Sequence, residues 1–258
     1  MATLSVVTIT FNDPEGLKRT FESLDLHAVE WIVVDASNIP AVQEHNRNLL
    51  DDQDVRLIQE PDNGRFDAMN KGLRAARGEL VCLLNGGDTF QCQEVPNRII
   101  ESFNKESWIW AVGETKAVDA TGAFLWNWPI PSHNSLKLIF GINSYCHQAT
   151  FVKLHVLADL GFFEIDSLYS DWVVSLLLSK KWRPHLLGFQ TTNFLADGIS
   201  SQQTIEYWKS ESVRLRRKYK IEFLGIRPLD SFLQWSAAKF IATARGQLIR
   251  SDLVKKYS

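Results

Sequence analysis

Residues 83–88 read L-L-N-G-G-D, where a run of apolar residues ends in a polar turn. The residues before it, L-V-C-L-L, are continuous and apolar, which is typical of a buried strand. Two glycines let the backbone turn sharply and approach a ligand closely. Asp88 is then well placed to hold a hard divalent cation that bridges a diphosphate. The same residues also fit a simple Gly-Gly turn in which Asp88 caps the next helix.

A second polar block, E-P-D-N-G-R-F-D-A-M-N-K-G, occupies residues 60–72. Asp62 opens a turn that precedes a predicted helix. Asp67, Asn70 and Lys71 follow at spacings that place them on one face of that helix, close to its N-terminus. Helix N-termini favour anions, so this block is a candidate ligand site. A capped, solvated helix start is the simpler interpretation.

A third pair of motifs consists of T-I-T-F-N at residues 8–12 and V-V-D at residues 33–35. Each is a strand end followed by polar residues. A carboxylate beside an aromatic ring can hold a nucleobase or a ribose by hydrogen bonding and stacking. Either motif alone is a weak signal.

Strand-like and helix-like segments alternate around these motifs in the first half of the chain. Strands are predicted at 4–10, 31–35, 55–59 and 80–84, and helices after Asn12-Asp13-Pro14, at 42–50 and at 66–76. Apolar strands linked by helices predict a parallel sheet covered on both faces. In such sheets ligands bind beyond the carboxyl ends of the strands, where the polar motifs fall.

The second half has a less regular pattern. Strands are predicted at 108–114, 124–128, 149–152 and 186–193, with a turn at 119–122 and a loop containing a short helix at 129–145. Helices are predicted at 155–160, 171–179, 202–220 and 229–249.

The composition narrows the class of protein. The chain has 258 residues, 45% of them hydrophobic and 22% charged, which excludes disordered, collagen-like and disulfide-rich classes. A net charge of −2 argues against a nucleic-acid partner. The three cysteines have no C-x-x-C spacing, so free thiols in a reducing cytosol are expected.

The charge is unevenly distributed along the chain. Residues 205–258 hold 12 Lys+Arg and 5 Asp+Glu, whereas residues 1–204 hold 16 and 25. An apolar stripe at 229–249 with basic residues up to 256 predicts a helix lying on an anionic membrane surface. Packing of this stripe on the body or on a second subunit is the alternative. Without a signal-like N-terminus or a run of about 18 apolar residues, we expect a cytoplasmic protein, peripheral at the inner face of the membrane.

The order of the motifs carries more information than any one of them. S-V-V-T-I-T-F-N, W-I-V-V-D, the block at 60–72 and G-E-L-V-C-L-L-N-G-G-D together resemble family 2 glycosyltransferases with the GT-A fold, over about residues 4–90. The resemblance continues more weakly through C-H-Q-A-T-F (146–151), S-D-W (170–172) and D-G-I-S (197–200). It is strongest to bacterial members that build cell-surface polysaccharides or glycolipids.

The resemblance implies an α/β fold of GT-A type. This is a Rossmann-like, mostly parallel central sheet with flanking helices, here followed by C-terminal amphipathic helices. The implied domains are 1–204 for the glycosyltransferase, with a nucleotide-sugar-binding half at 1–106 and an acceptor half at 107–204. Residues 205–258 would form a basic helical extension.

The resemblance also implies a role for each matched residue. It implies that Thr10, Phe11, Asn12 and Asp35 hold the base and ribose, that Asp62, Asp67 and Asn70 form the central donor-binding block, and that Asn85 and Asp88 are the outer positions of a D-x-D-type motif. Asp88 would bind Mn²⁺ or Mg²⁺. His147 and Gln148 would line the acceptor side, and Asp171 would be the general base. Trp172 is a further candidate on the acceptor side, because it adjoins Asp171 and could stack on a sugar ring.

The implied activity is inverting transfer of a sugar from a nucleotide-diphosphate donor to a glycan or lipid-linked acceptor. The sequence departs from the family pattern at Asn85, at the A-S-N-I-P after Asp35, at Ser170 and at Asp197. A catalytically silent scaffold subunit that retains the nucleotide site is therefore one alternative. A GT-A-like nucleotidyltransferase is another, but it requires a Gly-rich basic loop after the first strand, which T-F-N-D-P-E-G lacks.

Overall fold

The computed structural model describes residues 3–51, 53–128, 131, 145–196 and 205–220, together with residues 229, 232 and 236. The strands are β1 Leu4–Thr10, β2 Val29–Asp35, β3 Val55–Gln59, β4 Leu80–Leu83, β5 Thr89–Phe90, β6 Trp110–Val118, β7 Phe124–Asn127, β8 Thr150–Lys153 and β9 His185–Leu195. The helices are α1 Pro14–Glu22, α2 Pro40–Leu50, α3 Arg65–Ala75, α4 Val95–Glu106, α5 Leu154–Asp159, α6 Ser170–Lys181 and α7 Ile205–Lys218, with a 3₁₀ turn at His147–Ala149.

These strands form one mixed sheet in the order β3-β2-β1-β4-β8-β6-β9-β5, with β7 paired to β6. The first four strands are parallel, as their apolar character and helical connections predict. β8 enters antiparallel between β4 and β6, and β9 runs parallel to β6. The predicted α/β fold is confirmed; the sheet is parallel among β3, β2, β1 and β4 and mixed beyond β4, where a mostly parallel sheet was predicted.

The carboxyl ends of the first strands meet at one edge of the sheet. Thr10 at the end of β1 lies opposite Asp35 at the end of β2, and Asp35 lies opposite Gln59 at the end of β3. The chain leaving β4 continues beside β1, because the backbone N–H of Gly86 donates to the Ile9 carbonyl at 2.9 Å. The polar motifs predicted from the sequence therefore share this edge.

Two local features fix the helices that approach this edge. Asp13 caps α1, its side chain accepting a hydrogen bond from the Gly16 N–H at 2.8 Å, with Pro14 as the first helical residue. α3 packs very close to β1, since a Cβ added at Gly72 would lie 2.2 Å from Val7 Cγ1. A larger residue at position 72 would push α3 and its polar N-terminus away from the sheet.

The C-terminal part is described only in part. By its contacts the chain divides into two units, and residues 1–133 and 144–197 form the first, while α7 belongs to the second. Within α7, Arg214 and Glu211 form an ion pair at 2.6 Å. Most of the predicted loop at 129–145 and of the predicted helix at 229–249 lies outside the described residues, so the membrane contact of residues 229–256 stays a prediction. The domain boundary at 204 is likewise still a prediction.

Two chemical expectations concern the described residues. Cys82, Cys92 and Cys146 are free in the structure. Among the described residues there is no helix with both the length and the apolar character needed to cross a bilayer.

Candidate active site

The loops after β1 and β2 are joined into one surface. The backbone N–H of Asn12 donates to the Ser37 hydroxyl at 2.9 Å. The side-chain amide of Asn12 donates to the side-chain oxygen of Asn38 at 2.8 Å, and its own oxygen accepts the backbone N–H of Asn38 at 3.1 Å. Asn12 adopts a φ of 51°, which Asn tolerates better than most residues. Beside it, Phe11 is 59% exposed, so its ring face is available for stacking on a planar ligand.

Asp35 is fully buried below this surface. One carboxylate oxygen accepts the Ser37 N–H at 2.9 Å, and the other accepts the side-chain amides of Asn46 at 3.1 Å and Gln59 at 2.9 Å. Three donors satisfy a buried charge that would otherwise be costly. Asp35 thus shapes the loop that carries Ser37, and direct contact of its carboxylate with a ribose remains a prediction.

A hydroxyl from α1 holds the N-G-G-D turn in place. Thr20 is fully buried, and its Oγ1 lies 2.8 Å from the Asp88 carbonyl oxygen and 3.3 Å from that of Asn85. The same Oγ1 accepts a hydrogen bond from the Gly87 N–H at 3.0 Å. Gly87 has a φ of +95°, a conformation that glycine adopts without strain.

We expect Thr20→Val to destabilise the fold by about 1–3 kcal/mol, because at nearly constant volume it removes the donor to the buried Asp88 carbonyl and one of the two acceptors of the Gly87 N–H. Chemical denaturation measured by fluorescence checks this. Thr20→Ser keeps the hydroxyl and is the matched control, expected to lose much less. Equal stability of Thr20→Val and the wild type would show that the hydroxyl does not hold the turn.

The side chain of Asp88 connects three segments. It is 3% exposed; one carboxylate oxygen accepts the Gln148 side-chain amide at 2.9 Å, and the other accepts the Leu195 N–H at 2.8 Å. Gln148 precedes β8, and Leu195 ends β9. Asp88 therefore joins the end of β4 to the acceptor half of the predicted domain.

The central block forms its own network of charges. Asp62 accepts the Gly64 N–H at 2.8 Å, and Asp67 accepts the Asn63 N–H at 2.9 Å, which closes the turn before α3. Lys71 lies 2.9 Å from Glu60 and 3.7 Å from Asp67. The hydrogen bond with Glu60 is the main cause that raises the pKa of Lys71. The predicted pairing of Asp67 and Lys71 on one helical face is present.

Asn70 does not join that face. Its amide group is buried and exchanges two hydrogen bonds with the backbone of Phe163, at 2.8 and 2.9 Å. From the first turn of the same helix, Arg65 donates to the Leu168 carbonyl. Both residues of α3 therefore hold the segment that leads into Asp171, and the role of Asn70 seen here is to anchor that segment.

Asp171 lies at the start of α6 and faces His147. Nδ1 of His147 is 3.4 Å from an Asp171 carboxylate oxygen, and Nε2 is 3.3 Å from the side-chain nitrogen of Asn85. Burial acts to raise the pKa of the Asp171 carboxyl. The hydrogen bond and charge of His147, the charge of Arg65 and the N–H of Trp172 outweigh burial, so the pKa falls below its ordinary value. Asp171 is therefore an anion at neutral pH.

Two neighbours of Asp171 have structural roles here. Trp172 is 3% exposed, so its ring has no free face in this structure on which an acceptor could stack. Its place on the acceptor side stays a prediction. Ser170 is 1% exposed, and its hydroxyl accepts the Glu164 N–H at 2.6 Å. The departure from the family pattern at Ser170 thus supplies a local hydrogen bond.

The Asp88 carboxylate fits a divalent cation that would be held jointly by this one side chain and by the diphosphate of a bound donor. Among the described residues no group of three or more His, Cys, Asp and Glu side chains is placed to hold a metal. Mg²⁺ is commonly held by one or two carboxylates together with substrate phosphates, so one carboxylate is enough. Carboxylates that bind metals are themselves usually oriented by hydrogen bonds, as Gln148 and Leu195 orient Asp88.

Comparison with known proteins decides the family. Residues 5–145, more than half of the chain, match the family described as Glycosyl transferase family 2. The chain belongs to glycosyl transferase family 2.

Two proteins with similar sequences are relatives of this family 2 chain. An uncharacterized glycosyltransferase of Mycobacterium tuberculosis is 31% identical over 171 residues, which are 64% of this chain and 63% of that protein. A poly-beta-1,6-N-acetyl-D-glucosamine synthase of Staphylococcus epidermidis is 23% identical over 72% of this chain and 47% of its own length. The chain therefore spans less than two thirds of either relative.

Solved structures show the same fold as this family 2 chain. S. aureus TarS (residues 1–349) in complex with UDP-GlcNAc superposes with a TM-score of 0.63 at 15% identity, covering 90% of this chain and 70% of that one. The mannosyltransferase PcManGT from Pyrobaculum calidifontis, in complex with GDP-Man and Mn²⁺, gives 0.59 at 14% identity, covering 100% and 81%. The chain therefore has a GT-A-type fold.

Some residues of this family 2 site were not found from the sequence. Thr20 lies in α1, and the spacing of the apolar residues in this helix did not indicate a functional role for a hydroxyl. Arg19 lies beside it, with a guanidinium nitrogen 3.7 Å from where a Cβ on Gly87 would stand. A polar residue on the buried face of a helix next to a Gly-Gly turn is the signal that could have identified Thr20.

Proposed function

We propose that the chain is an inverting glycosyltransferase that moves a sugar from a nucleotide-diphosphate donor to a glycan or lipid-linked acceptor in cell-surface polysaccharide or glycolipid synthesis. The observation that carries this proposal is the continuous contact from the N-G-G-D turn to Asp171. Asn85 meets His147, and His147 meets Asp171, with distances of 3.3 and 3.4 Å. The N-G-G-D turn, on the proposed donor side, and the ionised Asp171 carboxylate are thus connected through His147 and would border the same site.

The nucleotide would lie at the edge where β1 and β2 end. Phe11 offers an exposed ring for the base, and the loop held by Asn12 and Ser37 offers polar groups. The diphosphate would then extend toward the N-G-G-D turn, where glycines permit close backbone approach. Asp62 lies in the turn before α3, and Asp67 lies in the first turn of that helix. Both would contact the sugar of the donor.

Asp88 would hold a divalent cation, Mn²⁺ or Mg²⁺. Such a cation, when bound, supplies positive charge that stabilises the leaving diphosphate. Gln148 and the Leu195 N–H fix the orientation of the Asp88 carboxylate.

Asp171 would act as the general base. The acceptor hydroxyl gives its proton to the carboxylate as its oxygen bonds to the anomeric carbon, and the bond to the diphosphate breaks with its electron pair. Attack from the face opposite the leaving group inverts the anomeric configuration. The lowered pKa keeps Asp171 in the ionised form that this step requires.

The similarities support donor and acceptor classes without naming either molecule. TarS and PcManGT are solved with UDP-GlcNAc and GDP-Man, which are both nucleotide-diphosphate sugars. The S. epidermidis relative is a polysaccharide synthase. We infer a donor of this class and a growing or lipid-linked glycan acceptor, handled at the cytoplasmic face of the membrane.

A thermal-shift screen of UDP-, GDP-, dTDP- and CDP-sugars, with and without Mn²⁺, tests the proposal. A donor at 100 times its Kd stabilises the fold by about 2.7 kcal/mol, which for a protein of this size raises Tm by roughly 5–10 °C. Mn²⁺ alone and the matching nucleoside monophosphates are the controls, expected to shift Tm far less. Absence of a shift with all four donor classes would contradict the proposal, and donor binding without hydrolysis or transfer would favour a silent scaffold.

A further inference from the structure

His147 is held at both ring nitrogens, by one residue from each side of the site. Nδ1 lies 3.4 Å from Asp171 and Nε2 lies 3.3 Å from the Asn85 side-chain nitrogen. The side chains of His147 and Asp171 are 22% and 21% exposed, so the pair stands at the border between protein and solvent. His147 is therefore able to transmit the position of the N-G-G-D turn to the carboxylate.

His147 and Asp171 both line a small cavity. The cavity has a volume of about 30 Å³, enough for a water molecule. Besides His147 and Asp171, its lining is largely apolar and includes Val81, Leu83, Leu157, Val174 and Leu178. An apolar wall on one side lowers the local dielectric constant and strengthens the interaction between the imidazole and the carboxylate.

The Asn85 contact suits either charge state of His147. Its amide oxygen is buried without a hydrogen-bond partner, while its nitrogen faces Nε2. Amide oxygen and nitrogen are placed by their surroundings, and a 180° rotation of this group exchanges them. Asn85 therefore donates to a neutral Nε2 or, after rotation, accepts from Nε2–H of the imidazolium.

We infer that His147 is a positioning residue for the transfer reaction, one that orients the Asp171 carboxylate and is itself oriented by Asn85. This inference rests on the proposed role of Asp171 as the base. His147 makes no bond to substrate in this role, and the proton of the acceptor hydroxyl goes to Asp171. Asn85 then acts through His147 in addition to any contact with the donor.

The matched variants are His147→Ala and His147→Asn, each with and without Asp171→Asn. His147→Ala is expected to lower kcat roughly 10- to 100-fold, by analogy with the loss of a hydrogen-bond partner that orients a metal ligand, with donor KM unchanged. An Asn side chain places its nitrogen near the position of Nδ1, so His147→Asn should recover most of the rate. In the Asp171→Asn background, His147→Ala should cause no further loss, because a residue that acts through another is not additive with it.

The pH profile supplies a readout that a purely structural role would not move. The groups that face Asp171 are His147 from the 3₁₀ turn, Arg65 from α3 and the Trp172 N–H of α6. Removal of His147 takes away part of the lowering influence, so the pKa of Asp171 rises. The acid limb of kcat/KM should therefore shift to higher pH in His147→Ala and return part of the way in His147→Asn, which restores the hydrogen bond and not the charge.

Three results would overturn the inference. The first is an unchanged kcat in His147→Ala. The second is that adding His147→Ala to Asp171→Asn lowers kcat by the same factor as in the wild-type background. The third is that the acid limb of kcat/KM in His147→Ala lies at the wild-type pH. The donor-induced rise in Tm, measured for every variant, shows that each is folded and binds donor. Failure of the proposed function would look different, since Asp171→Asn would then turn over at the wild-type rate, or no donor would bind the wild-type protein.

Discussion

Asp171→Asn is expected to reduce sugar transfer by about 10²- to 10⁴-fold, the contribution that general-base catalysis usually makes. The substitution keeps the size of the side chain and removes its ability to take a proton. Asp171 contacts His147, whereas the nucleotide would bind at the ends of β1 and β2. Donor binding, measured by the rise in Tm, should therefore be retained while turnover is lost.

Asp159→Asn is the matched control for this experiment. Asp159 is an exposed residue at the end of α5, so the same chemical change there should leave the transfer rate unaltered. If Asp171→Asn transferred sugar as fast as the control, Asp171 would not be the base. Loss of both turnover and donor binding would indicate instead that Asp171 supports the structure of the site.

Asp88→Asn is expected to lower kcat by roughly 10²- to 10³-fold in the presence of Mn²⁺, because a bound cation supplies several kcal/mol of charge stabilisation. The substitution removes the charge that would hold the cation. The concentration of Mn²⁺ needed for half of the donor-induced rise in Tm should increase as well. This second measurement reports on the cation without depending on turnover.

A second substitution separates the charge of Asp88 from its hydrogen bonds. In Asp88→Asn an amide N–H group faces the donating amide of Gln148, which destabilises the turn. Adding Gln148→Glu supplies an acceptor again, so the double variant should recover its unfolding temperature while the Mn²⁺ requirement stays altered. Wild-type turnover and Mn²⁺ dependence in Asp88→Asn would reduce Asp88 to a structural link.

The first half of the fold follows closely from local patterns. β1 and β3 begin and end at the predicted residues, and α3 is shifted by one residue from its predicted bounds. These segments are strongly periodic or continuously apolar, and their ends carry Asp, Asn, Gly or Pro. The predicted meeting of polar residues at one edge then follows from parallel pairing.

α4 was not predicted, although the sequence contains its signals. Pro96 stands in its first turn, and Val95, Ile99 and Phe103 recur on one buried face. β5 has only two residues and is defined by its pairing with β9, which no local pattern reveals. An element this short exists only because a distant partner supplies its hydrogen bonds.

The contacts of the candidate site residues were predicted only in part. Helical spacing placed Asn70 with Asp67 and Lys71, but the partner of its amide is the backbone of Phe163, 93 residues later. Likewise, the position of His147 beside Asp171 depends on the antiparallel entry of β8 next to β4. Spacing in a sequence gives the face of an element, whereas the partner on that face is set by how distant elements pack.

The link from Asp88 to Leu195 has a consequence for how the protein is made. Leu195 follows Asp88 by 107 residues and Gln148 follows it by 60, so this part of the site closes only after β9 has been synthesised. Until β8 emerges, the apolar strand β4 has one unpaired side. An unpaired apolar strand in a nascent chain is prone to aggregate, and domains form from the N-terminus during translation. The sheet edge formed by β1, β2 and β4 can therefore form before the contacts of Asp88 with Gln148 and Leu195, and we expect ribosome-bound chains to pass through a stage in which β4 is open to aggregation.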